Sequence, residues 1–200
     1  MISKATIGRL LEYYEYVEKL PYETEYISAT RVAHDLNFGE VQVRKDLAAI
    51  CGKGRPRVGY AVNDLYMALC ASLGKNSGCE AVIVGAGRLG TALFGYNGFG
   101  DYGITINHAF DTDPEKFSHN ISDLNSLPSY CNLHQVEIGI ITTPASSAQE
   151  ACDMLIKSGI KAIWCFSGCK LTVPDNVYVQ YENLATQLAH LHQKVNQHIR

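Results

Sequence analysis

At 200 residues and 46% hydrophobic content, the chain is long enough for one ordinary domain or two small ones and too apolar for disorder. Its formal net charge of −3 excludes a polycationic protein, and no apolar run approaches the ~20 residues that cross a bilayer. The start, MISKATIGRLLEYYEY, carries charges and tyrosines where a signal peptide would be plainly apolar, so the expectation is a soluble, cytoplasmic protein with no membrane partner.

The charge is unevenly spread. Residues 1–75 balance at +1 and residues 76–200 at −4. Within the first part Arg44, Lys45, Lys53, Arg55 and Arg57 face Asp46 alone, a focused basic patch that suits a local anionic partner. The seven cysteines include no CxxC pair and no Cys/His cluster at zinc spacing, so no metal site is expected. They read as small buried residues in a reducing compartment, with Cys165 and Cys169 the one pair close enough in sequence to suggest a redox role.

Helical patterning comes first. Thr6 can cap a helix with the stripe Ile7, Leu10, Leu11, Tyr14, Val17 and Leu20, ended by Pro21. Ser28 can cap a second, with Val32, Ala33 and Leu36 on one face, stopped by Asn37-Phe38-Gly39. A third, from about Glu40 to Ile50, buries Val43, Leu47 and Ile50 and turns Gln42, Arg44 and Lys45 outward. Two short helices joined by a tight glycine-containing turn are a helix-turn-helix pattern. The following CGKGRPRVGY suits a hairpin wing carrying Lys53, Arg55 and Arg57, and Asn63 can cap a fourth helix with Leu65, Tyr66, Leu69 and Leu73.

The segment GKNSG, Gly74 to Gly78, is the natural boundary, and beyond it the pattern becomes βαβ. Strands are expected at Ala81–Val84, Ile104–Phe110, Ile138–Ile141, Ala162–Phe166 and Val177–Val179, with helices from Leu89 to Phe94 and from Ala148 to Lys157. A long last helix, Asn183 to Arg200, carries Leu184, Leu188, Leu191, Val195 and Ile199 on one stripe. The expected architecture is α/β: a winged helix-turn-helix domain over 1–75, a Rossmann-like domain over 79–181 and a C-terminal helix over 182–200.

Gly85-Ala86-Gly87-Arg88-Leu89-Gly90 matches GxGxxG after a strand and at the opening of a helix. In such a loop the first glycine makes the tight turn, the second lets a pyrophosphate reach the backbone, and the third lets helix pack on strand. Asp111 follows Gly90 by 21 residues, at the end of the second strand, where a carboxylate can hydrogen-bond a ribose 2′-hydroxyl. That placement favours NAD(H) over NADP(H), because a 2′-phosphate would meet like charge and the next cation, Lys116, comes only after Asp113 and Glu115. A dehydrogenase also needs a proton donor and a substrate anchor, and none of the six histidines beyond the boundary (His108, His119, His134, His190, His192, His198) has a partner arrangement visible in sequence, so no catalytic residue is assigned. A nucleotide bound without chemistry can serve as a signal.

Taken together, Val41-Gln42-Val43-Arg44-Lys45-Asp46-Leu47, the Gly/Arg-rich wing ending Gly59-Tyr60, GxGxLG, Phe110-Asp111-x-Asp113-Pro114, and Thr142-Thr143-Pro144-Ala145 with Ala148-Gln149 resemble the Rex family of redox-sensing transcriptional repressors, from about Ile2 to Leu191. The resemblance implies a homodimer that binds an A·T-rich inverted repeat of double-stranded DNA under NAD+ and releases it with NADH. It implies that Thr142, Thr143 and Pro144 line the cofactor cleft, that the C-terminal helix enters the partner subunit, and that Arg88 and Tyr96 join a switch network near the nicotinamide. The family completes that network with an aspartate, where this chain has Asn183 beside Glu182. An amide cannot pair with an arginine as an ion, so a repressor answering to another ligand stays open, as does a small NAD(P)-dependent oxidoreductase. Other departures are a wing richer in arginine and proline, a shorter loop after Asp113, and Cys165 in place of a frequent asparagine.

Overall fold

In the computed structural model, which describes residues 4–75 and 78–198, helix α1 runs Lys4–Glu18 and buries Leu10, Tyr13, Tyr14 and Val17. Thr6 lies inside the helix instead of capping it, and Ile7 is 42% exposed whereas Tyr13 is fully buried. The face turns toward Tyr13 because its ring fills the core while its hydroxyl finds an acceptor in Asp46 at 3.0 Å. Strand β1 (Tyr26–Ile27) leads to helix α2 (Ala29–Asp35), where the Arg31 N–H donates to Ser28 Oγ at 3.1 Å as the cap requires. Asn37, at φ 55°, turns the chain into helix α3 (Glu40–Cys51).

Arg55 and Gly59 then close a tight turn with reciprocal backbone bonds of 2.7 and 2.9 Å, and strand β2 (Tyr60–Ala61) pairs antiparallel with β1. Helix α4 (Val62–Ser72) starts without the cap expected of Asn63, which sits in its first turn. Ala61 holds the cap position because β2 delivers the chain straight into the helix, and the Val62 N–H is satisfied by Glu25 O at 2.9 Å. Tyr13, Val32, Val43, Leu47, Leu65 and Leu69 form the common core of this helical unit.

The chain divides into two compact units, Met1–Gly78 and Cys79–Arg200. Part of the expected linker, Asn76 and Ser77, lies outside the described residues, as do Ile199 and Arg200. The second unit is a six-stranded parallel sheet of β3 (Cys79–Val84), β4 (Ile104–Asp111), β5 (Ile121–Asp123), β6 (Val136–Ile141), β7 (Ala162–Cys165) and β8 (Tyr178–Tyr181), in the spatial order β5-β4-β3-β6-β7-β8. Between the strands run α5 (Arg88–Phe94), α6 (Leu127–Leu133) and α7 (Ala145–Lys157), and α8 (Leu184–His198) closes the chain. The sequence reading missed β5 and α6. A three-residue strand and a seven-residue helix are too short to show a period.

From β3 the chain steps outward to β4 and β5, then crosses back to β6 on the other side of β3. That reversal opens a crevice at the carboxyl ends of β3 and β6. One sheet face (Val82, Val84, Phe110) is packed with Leu127, Leu155 and Ile163. The other, around Ala81, Ile83, Ala109 and Ile140, receives Leu93 and Phe94 of α5 yet keeps an almost wholly apolar trough of about 380 Å³. Among the described residues no helix is long and apolar enough to cross a membrane.

Candidate functional site

At the crevice a cleft of about 770 Å³ is lined by Gly85, Gly87, Asp111, Lys116, Thr142, Thr143, Pro144 and Ser167. Gly85 stands at φ 105° with its N–H on Phe110 O (2.7 Å), and Thr142 Oγ1 donates to Gly85 O at 2.6 Å, so the loops after β3 and β6 are tied together. A side chain at Gly90 would overlap the Gly85 carbonyl oxygen, which is why only glycine lets α5 pack on β3. At Gly87, with ordinary backbone angles, an added Cβ would meet nothing within 4 Å. Its freedom from a side chain therefore serves whatever enters the cleft.

Asp111 ends β4 and is 8% exposed. Its Oδ2 accepts from the Ala86 N–H at 2.7 Å and its Oδ1 from the Asp113 N–H at 3.0 Å. Burial alone would raise its pKa, but the Asp113, Lys116 and Ala86 hydrogen bonds outweigh burial and hold the carboxyl below its usual range. Lys116 Nζ donates to Asp111 Oδ2 at 3.0 Å, so the aspartate is not the unscreened charge expected from sequence. The hydroxyls of Thr143 and Ser167 are buried at the cleft with no hydrogen-bond partner among the described residues, the donor or acceptor surplus a polar ligand would use. Ser167 is a candidate that sequence reasoning missed, since a lone serine after β7 carries no pattern.

These features fit a dinucleotide: a backbone approach at Gly87, a carboxylate for a ribose, and spare hydroxyls at the β6 and β7 ends. Leu89 is half-buried on α5, and Arg88 is exposed at its start. Tyr96 is 61% exposed, edge-on to Phe99 with ring centres 5.0 Å apart. Asn183 Oδ1 accepts from the Thr186 N–H at 3.0 Å as the cap of α8, and Glu182 Oε1 accepts from Gln180 Nε2 at 3.1 Å. Among the described residues no hydrogen bond or ion pair joins Arg88, Tyr96, Glu182 and Asn183 to one another.

Cys165 is buried in the β7 core and is a free thiol, as is Cys169, whose Sγ faces Ala145 O at 3.9 Å. Burial pushes the Cys152 thiol up to about 11, well away from reactivity at neutral pH. His108 packs its ring on Tyr130 and shares a hydrogen bond with Ser122 Oγ at 2.8 Å, whereas His119 and His134 are exposed. Among the described residues no group of three or more His, Cys, Asp or Glu could hold a metal ion.

In the first unit Arg44, Lys45, Lys53, Arg55 and Arg57 are all exposed. Arg44 is paired with Glu40 one turn earlier on α3. Gln42 Nε2 donates to Asp46 Oδ1 at 2.8 Å, so its amide is held by the helix rather than free to read a partner. Arg57 sits at the tip of the wing with φ 62°, and Arg55 leans over the Tyr26 ring at 5.7 Å. Val41, 70% exposed on the outer face of α3, is an apolar member of this surface that the basic pattern hid.

A winged helix-turn-helix unit joined to a Rossmann-like unit defines a class, DNA-binding regulators with a nucleotide-binding core. The comparisons make the class particular. Residues 76–168 match the family described as "CoA binding domain" and residues 1–48 the family described as "Putative DNA-binding protein N-terminus". The chain is 42% identical to the redox-sensing transcriptional repressor Rex of Treponema denticola, over 93% of this chain and 91% of that one. It is 38% identical to that of Pelotomaculum thermopropionicum over 94% and 91%. Among solved structures it is similar to RSP in complex with β-NAD+ and operator DNA, at 31% identity, 99% and 94% coverage and a TM-score of 0.90. RSP in complex with β-NADH follows at 30%, 99% and 96%, and 0.82. The chain belongs to the Rex family of redox-sensing transcriptional repressors.

Proposed function

We propose that this protein is a cytoplasmic transcriptional repressor that reads the NADH/NAD+ ratio without turning the dinucleotide over. The observation that carries this reading is the cleft itself: Gly87 leaves open space, Asp111 is fixed by the Ala86 N–H, and Thr143 and Ser167 hold unpartnered hydroxyls. The residues assigned to the dinucleotide are Gly85, Ala86, Gly87, Arg88, Leu89, Gly90, Asp111, Thr142, Thr143 and Pro144, with Tyr96 toward the nicotinamide and Ser167 added. Residues 1–75 bind operator DNA, 79–181 the dinucleotide, and 182–200 the partner subunit.

On an A·T-rich inverted repeat, Arg44 and Lys45 approach the major groove from α3. Val41 is placed to meet a thymine methyl. Lys53, Arg55 and Arg57 hold phosphates or enter a narrow minor groove from the wing. Gln42 reads a base edge only after leaving Asp46. Helix α8, whose Leu184, Leu188, Leu191 and Val195 are all exposed, lies in a second copy's apolar trough beside Ala81, Ile106, Ile138 and Trp164. NADH at both clefts favours a dimer whose recognition helices no longer match the half-site spacing.

Fluorescence anisotropy on an A·T-rich palindrome, with NAD+ and then NADH added, tests the proposal. Binding that survives NAD+ and is released by NADH is the expected result. Binding that ignores both forms points to another ligand, and turnover of a metabolite without DNA affinity points to an oxidoreductase.

A further inference from the structure

Sequence placed Asp111 as a bare carboxylate at the ribose end of the cleft. The fold covers it. The chain after β4 makes one 3-10 turn, Pro114–Lys116, which Asp113 opens by accepting the Glu115 N–H at 3.1 Å. That turn carries Lys116 back to the aspartate it follows by five residues, where Nζ reaches Asp111 Oδ2 at 3.0 Å and Asp113 Oδ2 at 3.7 Å. The Asp111 side chain is 9% exposed and the Lys116 side chain 37%, so the ammonium is the more accessible charge of the pair on the cleft wall.

An unscreened carboxylate here rejects a 2′-phosphate by like charge. With Lys116 among them, Asp111 and Asp113 present one net negative charge instead of two, and the cation has a donor to offer a phosphate. Resting on the dinucleotide reading above, we propose that Lys116 sets the selectivity between dinucleotides with and without a 2′-phosphate. It screens Asp111 and can pair with the added phosphate, so the cleft admits NADPH far better than its aspartate alone allows, while the remaining negative charge keeps NADH ahead.

The test titrates the full-length wild type, Lys116→Met and Lys116→Arg with NADH and with NADPH, following nicotinamide fluorescence. Lys116→Met should lower NADPH affinity relative to NADH by about tenfold, equivalent to ~1.4 kcal/mol, and Lys116→Arg should keep the wild-type ratio. A merely structural role would weaken both ligands together and leave the ratio unmoved. A ratio in Lys116→Met within about twofold of wild type, or wild-type NADPH binding too weak to titrate where NADH binds well, overturns the inference alone. A wild type that binds neither dinucleotide overturns it together with the reading on which it rests.

Discussion

Arg9 Nε of α1 donates to Asp46 Oδ2 of α3 across 2.7 Å, and the same carboxylate accepts from Tyr13 OH at 3.0 Å and Gln42 Nε2 at 2.8 Å. One 5% exposed aspartate thus fastens α1 to α3. Burial works to raise its pKa, but Arg9, Gln42 and Tyr13 prevail and hold it low, while burial and the same carboxylate push Tyr13 up to about 12. Asp46→Ala should cost about 2–3 kcal/mol, because it leaves the Tyr13 hydroxyl and a half-buried Arg9 without their acceptor. Urea unfolding followed by circular dichroism checks this, and a loss under about 0.5 kcal/mol would show the node to be dispensable.

Stability should fall on acidification in two stages. His108 is held below its ordinary 6.5 by burial, with His134 and His119 adding to the shift and Glu80 opposing it. The folded state therefore binds fewer protons than the unfolded one, and stability is lost as pH drops below 6.5 toward the folded value. Asp46 and Asp111 have lowered folded values, so their contribution is complete above about pH 4 and is lost below it. Melting temperatures of wild type and His108→Gln between pH 8 and pH 5 test the first stage: the variant's profile should be the flatter one.

Gly87→Ala and Gly90→Ala should part company. An alanine at 87 meets open space, so melting should be unchanged while NADH affinity drops by about tenfold or more, its methyl occupying the path of the pyrophosphate. An alanine at 90 overlaps the Gly85 carbonyl and should lower both melting temperature and affinity. Fluorescence titration beside thermal melting separates the two; equal behaviour would refute the assigned roles.

On the wing, Arg57→Gly should stabilise the fold by about 0.5–1 kcal/mol, since it releases a positive φ, yet weaken operator binding and lower its salt slope by about one. Arg44→Ala should weaken binding as well. Glu40→Gln should strengthen it, because Arg44 no longer has to leave an ion pair to reach DNA. Anisotropy titrations across a salt series decide each direction.

Leu188→Glu with Leu191→Glu should convert a dimer to monomers in light scattering and leave the helical content nearly intact, as both side chains are exposed within one chain. A variant still dimeric would place the interface elsewhere.

Most of the second unit was legible because a parallel strand buried on both faces must be a continuous apolar run, as in Ala81–Val84, and because GxGxxG followed at the right distance by Asp111 encodes a backbone geometry few residues can supply. In the first unit the helices and most of their inner faces were legible, Leu10, Val17, Val32, Val43, Leu47, Leu65 and Leu69 all being buried, and the exception lies on α1. The apolar stripe pointed to Ile7, but the fold buried Tyr13, whose suitability depends on an aspartate 33 residues away. Likewise Asn63 has the chemistry of a cap, and the pairing of β1 with β2 placed the helix start two residues earlier.

Sequence alone determined the two-unit plan, the glycine loop with its carboxylate, and the cations of α3 and the wing, since each depends on local backbone preference or on spacing along the chain. Only the tertiary structure decided the pairings between elements and the state of the cleft: Lys116 screening Asp111, Arg9 and Tyr13 of α1 fastened to Asp46 of α3, Ser167 with no hydrogen-bond partner among the described residues, and one sheet face left with an apolar trough. Side-chain pairing is set by distances between atoms remote in sequence or turned toward each other by the fold, and a linear pattern carries no such distances.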